Sequence, residues 1–137
     1  MSILSDLAER LNRKKYGFGT ICQAVGVQLE NDSKTNASWT DQTSNARQLI
    51  HSKVSGGGAS YNINVAHGVE YGGILEEGSK AHIIKPKNKK ALYWSGAAHP
   101  VKQVNHPGTS AYKGIKSTMQ SEVPTIAEKL AKYWSDL

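Results

Sequence analysis

At 137 residues, with 38% hydrophobic and 7% aromatic side chains, the chain is long enough for one domain with a modest core and too apolar for disorder. No apolar run approaches the roughly 20 residues that cross a bilayer, and the first residues lack a basic-then-apolar signal pattern, so the expected place of synthesis and work is the cytoplasm. The formal charge of +6 favours attraction to polyanions, and the single cysteine, Cys22, excludes an internal disulfide and reads as a small buried hydrophobe.

Residues 3–15 predict an amphipathic helix, with Ile3, Leu4, Leu7, Ala8 and Leu11 at spacings of three and four. Ser2 or Ser5 is its expected cap. The Tyr16-Gly17-Phe18-Gly19 stretch predicts a break, followed by a second helix over about 19–36 with Ile21, Val25 and Leu29 on one stripe. Trp39 is expected to anchor the next turn in the core. A short helix or turn is expected near Asn45–Gln48, with Arg47 placed to pair with Asp41, to reach a neighbouring subunit, or to remain solvated.

Strands follow. Leu49 to Val54 is the first, Ser55–Ser60 a flexible hairpin loop, and Tyr61, Ile63 and Val65 alternate with polar neighbours in the second. Between His67 and Gly78 lies an apolar and acidic knuckle, expected to form one or two helical turns stopped by Gly78. Further strands are expected at Ala81–Lys85, Ala91–Trp94 and Val101–Asn105. The last segment, about 110–136, is helical by its stripe of Ile115, Met119, Val123, Ile126 and Leu130. Pro124 inside it predicts a kink or two abutting helices. The expected fold is therefore a single α+β domain over residues 1–137. It has N-terminal helices, a small mainly antiparallel sheet of about four to five strands with a short helical knuckle, and a long Pro-interrupted C-terminal helix.

Charge changes sign abruptly along the knuckle. Glu70, Glu76 and Glu77 precede Lys80, Lys85, Lys87, Lys89 and Lys90. Such segregation predicts a surface that meets another copy or a charged partner. Expected subunit or ring-interface residues are Arg47, Glu70, Tyr71, Glu76 and Glu77. The loop carrying Lys85, Lys87, Lys89 and Lys90 is expected to face DNA or a partner. The histidines at 51, 67, 82, 99 and 106 lack metal-ligand spacing. No nucleophile elbow or phosphate-binding loop is present, and no catalytic residue, metal or cofactor is expected.

Four ordered motifs carry a resemblance. They are Ala37-x-Trp39-x-Asp41-x-Thr43-x-x-Ala46-Arg47, His67-x-Val69-x-Tyr71-Gly72-x-x-Leu75-Glu76, Lys85-Pro86-x-x-x-x-Ala91-Leu92-x-Trp94 and Val104-x-His106-Pro107-Gly108. Together they resemble the minor neck or tail-component proteins of long-tailed double-stranded DNA bacteriophages, over about residues 35–112. Ser44 departs from the glycine common in that family. The resemblance implies a non-enzymatic structural virion protein, forming a ring at the head–tail junction or the upper end of the tail. It would serve tail completion and head–tail joining, in the virion neck after assembly in host cytoplasm. Implied partners are copies of itself in a hexamer or dodecamer, neighbouring neck, terminator or tail-tube proteins, and packaged DNA by non-specific contact, with no membrane. The alternatives are the tail terminator of the same neck, or a small basic nucleic-acid-binding module using Tyr93 and Trp94 for stacking.

Overall fold

The structure, a computed structural model, describes residues 2–41, 45–87, 91 and 100–136. The elements run α1 (Ile3–Asn36), α2 (Asn45–Gln48), β1 (His51–Gly57), β2 (Ser60–Ala66), α3 (Gly72–Glu77), β3 (His82–Ile84), β4 (Val104–His106) and α4 (Gly114–Ser135). The expected mixture of helix and sheet is present. All of the expected strand Ala91–Trp94 but Ala91, and most of its loop, including Lys89 and Lys90, lie outside the described residues, as does Ser44.

α1 is one helix of 34 residues, about 51 Å long. Ser2 caps it, its side chain accepting from the Ser5 backbone nitrogen at 3.2 Å. The break expected at Tyr16–Gly19 is absent. Each glycine there costs a helix about 1 kcal/mol in propensity, but both serve close packing. A Cβ on Gly17 would lie 2.3 Å from the Tyr133 hydroxyl, and one on Gly19 2.6 Å from that of Tyr61. Between them Phe18 is buried, with its ring against those of Tyr61, Tyr133 and Trp134. Gly26 plays the same part farther along, where a Cβ would meet Val54 Cγ2 at 2.8 Å.

β1 and β2 form an antiparallel hairpin in which Val54 pairs with Ile63 and Gly57 with Ser60. Ser55, Gly56, Gly57 and Ser60, expected in the loop, belong to the strands. Gly58, at φ +62, opens the two-residue turn. The half-buried positions Ser52, Val54, Tyr61, Ile63 and Val65 alternate with exposed ones. Glu30 of α1 accepts a hydrogen bond from the Ser52 backbone nitrogen at 2.7 Å and so fixes the hairpin's base.

α4 runs antiparallel to α1. Asn36 donates to Thr118 Oγ1 at 2.9 Å at one limit of their seam. At the other, the Lys14 ammonium donates to the Tyr133 carbonyl at 2.8 Å, and the Tyr133 hydroxyl donates to the Lys14 carbonyl at 2.7 Å. Pro124 lies within α4 and does not divide it. Residues 120 and 124 are both exposed, so the carbonyl that lacks its usual donor faces water. Midway along the seam Gln28 donates to Glu122 at 2.9 Å. The Glu122 carboxyl is held above the usual range, first by its hydrogen bond with Asp32 and then by burial. The Gln28 bond opposes this and the Asp32 charge adds to it.

The expected single sheet of four to five strands is instead two separate two-stranded sheets among the described residues. β3 pairs with β4 through His82–His106, Ile83–Asn105 and Ile84–Val104. Strand alternation reveals which face is buried but not which strand lies alongside, and the helical knuckle separates the two hairpins. A Ser79–Thr109 bridge extends the second one.

Candidate functional site

The residues of the first two motifs converge on one cluster. Trp39, Ala37, Ala46 and Ile50 are buried together, with Val65, Val69, Leu75, Tyr112 and Ile115 packed against them. Arg47, at the end of α2, does not reach outward. Its Nε donates to Asp41 at 2.8 Å, its Nη2 to the Trp39 carbonyl at 3.2 Å, and its Nη1 to the carbonyl of Lys34. The guanidinium also lies 5.5 Å from the Trp39 ring centroid. The solvated role that the sequence favoured for Arg47 thus gives way to the Asp41 pairing it had left open, and the side chain closes the end of α1 onto the following turn.

Glu76 is likewise engaged within the chain. Its Oε1 lies 3.1 Å from His67 Nε2 and accepts from the Ile115 backbone nitrogen at 2.6 Å, while Oε2 accepts from that of Lys116 at 3.3 Å. A carboxylate over the first amide groups of α4 satisfies donors that the helix leaves unbonded, and it suits the helix dipole. Lys113, which precedes α4, has φ +49 and caps nothing with its side chain, so Glu76 performs from a distance what a local cap would. Gly72 lets α3 approach: a Cβ there would lie 2.2 Å from His67 Cβ. Sequence spacing did not pick out His67 as the partner of Glu76.

The other expected interface residues are free of such duties. Glu70, Tyr71 and Glu77 are exposed on the same knuckle, as are Lys85 and Lys87 beyond β3. Ile74 and Ile83 are exposed beside them. The knuckle is fixed to the scaffold from behind. The Tyr112 and Lys113 amides donate to the Leu75 and Glu76 carbonyls at 2.9 and 3.2 Å. Gly78 and Gly108, at φ +76 and +91, allow the Ser79–Thr109 bridge to close. The result is an exposed acidic and apolar knuckle, held from behind by backbone hydrogen bonds and followed in the chain by an exposed basic segment.

Among the described residues no helix is long and apolar enough to cross a membrane, and no three or more His, Cys, Asp or Glu side chains group as metal ligands. No protein-family model, curated protein or solved structure matches the chain.

Proposed function

We propose that this chain is a structural virion subunit, one copy of a ring at the head–tail junction or upper tail end of a long-tailed double-stranded DNA bacteriophage. In that place it serves tail completion and head–tail joining. The observation that carries an assembling role is the surface left uncovered. The accessible surface is 9847 Å² for a chain of 14.9 kDa, whereas a compact monomer of that mass exposes about 7000 Å². A stable contact takes about 800 Å² from each partner, and a ring subunit makes two of them. The excess is larger than the roughly 1600 Å² that two such contacts take, so surface enough for both is left exposed.

Large apolar side chains on that surface support the same reading: Ile3, Leu4, Tyr16, Val27, Tyr71 and Ile74 are all exposed. Among the described residues the two-stranded sheets also leave strand edges unpaired, which other chains can extend. The bacteriophage setting rests on the four ordered motifs. Trp39, Arg47, His67, Gly72, Glu76 and Gly108 of those motifs hold the scaffold together, while Glu70, Tyr71 and Glu77 remain to meet neighbours.

Electron microscopy of the purified chain, alone and added to tails that lack it, tests the reading. Rings, and restored joining of heads to tails, are the expected result. Monodisperse particles without rings, together with sub-micromolar binding of free duplex DNA that falls with salt, would favour a nucleic-acid-binding module instead.

A further inference from the structure

The first three turns of α1 stand apart from the other described elements. α1 has 34 residues and its antiparallel neighbour α4 has 22, so among the described residues α1 runs on about 18 Å past it. The seam ends at the Lys14–Tyr133 hydrogen bonds. The hairpin ends at the same level, where Gly58 and Tyr61 lie beside Asn12 and Tyr16. Beyond that level the ion pairs are internal to the helix, Asp6 with Arg10 at 3.1 Å and Glu9 with Arg13 at 3.5 Å. Yet this arm carries an apolar stripe. Ile3, Leu4 and Leu7 are 87%, 78% and 48% exposed, and Leu11 continues their sector. A helical stretch this short gains little from propensity alone, and its stability comes from covering such a stripe.

Farther along α1 and α4 lies an open groove of about 510 Å³. Its floor is formed by Ile21, Val25, Ile126 and Leu130, all half-buried. These α1 positions each precede by one residue those buried against the hairpin and α4, and so lie about 100° around the helix from them. Exposed Lys129 and Lys132 rim the groove, with Asp136 the acid in its lining. The arm's first two turns carry the opposite charge, Asp6 and Glu9, whose pairs with Arg10 and Arg13 are exposed and therefore weak enough to exchange for the groove's lysines. Arm and groove cannot meet within one chain. They belong to the same uninterrupted helix, with Leu4 about 26 Å along the axis from Ile21.

We propose that the arm of one copy lies in the α1–α4 groove of the next, with Ile3, Leu4 and Leu7 on the apolar floor and Asp6 and Glu9 beside Lys129 and Lys132. Each copy gives its arm to one neighbour and its groove to the other. The contact is heterologous, and the series closes when the rotation between copies permits. This deepens the ring reading and rests on it.

Sedimentation velocity of the full chain over a range of concentrations tests the contact. The arm variant is Leu4→Asp with Leu7→Asp. The rim variant is Lys129→Glu with Lys132→Glu, at exposed positions, and circular dichroism checks that both remain folded. The wild type is expected to assemble, and each variant to raise the assembly midpoint at least about tenfold. Mixed together, the two variants should form a one-to-one dimer that grows no further, because one intact arm meets one intact groove. Variants that assemble at the wild-type midpoint, or a mixture that yields no dimer, would overturn the arm-in-groove contact while the ring reading stands. A wild type that stays monomeric throughout would overturn both.

Discussion

His67 and Glu76 meet through Nε2 and Oε1 at 3.1 Å, and the same carboxylate covers the first amides of α4. An acid that sequence presents as one of three interface carboxylates is therefore a structural cap. Glu76→Ala is expected to destabilise the chain by about 1–2 kcal/mol, because it uncaps α4 and leaves the part-buried Ile115 amide without its acceptor. Glu77→Ala, at an exposed position one residue on, is expected to stay within about 0.5 kcal/mol of wild type. Urea unfolding of both variants measures the difference.

The exposed part of the knuckle is then free to act between copies. Glu70→Lys combined with Glu77→Lys should reduce ring formation and leave the unfolding midpoint nearly unchanged. The reason is that Glu70 and Glu77 adjoin exposed Tyr71 and Ile74 and have no capping role. Particle counts by electron microscopy beside a denaturation curve separate the two effects. Normal rings from the double variant would remove the knuckle from the interface.

Gly17 tests why α1 runs unbroken. Alanine normally favours a helix over glycine by about 1 kcal/mol. Here its Cβ would stand 2.3 Å from the Tyr133 hydroxyl, itself held by the Lys14 carbonyl. Gly17→Ala is expected to destabilise by about 1–3 kcal/mol. In a Tyr133→Phe background, where the obstructing oxygen is gone, the cost should fall below about 1 kcal/mol. A double-mutant cycle by denaturant unfolding measures the coupling.

Much of the scaffold was legible in the sequence. Period and bulk sufficed for Trp39 in the core, α2, the β1–β2 alternation, the knuckle ended by Gly78, and α4. Each of these signals is local. The unbroken α1 was not legible, because the glycine penalty is local while its compensation comes from Tyr61 and Tyr133, far along the chain. The role of Glu76 was hidden for the same reason, since the amides it caps belong to Ile115 and Lys116. The stripe of Ile3, Leu4 and Leu7 was visible, but only the length of α4 reveals that none of the described residues covers it.

Glu122 gives the seam between α1 and α4 a pH dependence. Its carboxyl is raised by Asp32 and by burial, so the folded state holds the proton more tightly than the unfolded one. The stabilisation is complete below the ordinary carboxylate range and is lost as pH rises through the raised folded value. Glu122→Gln, which removes the charge, should therefore be more stable than wild type at neutral pH. Its unfolding midpoint should also vary less over the mildly acidic range. Thermal unfolding at a series of pH values checks both.

The mass of the purified chain in solution bears most directly on the claim that the molecule works as a repeated structural part. Native mass spectrometry is expected to find a closed oligomer whose mass is a fixed multiple of 14.9 kDa. A single 14.9 kDa species at every concentration, with no larger form, would contradict it.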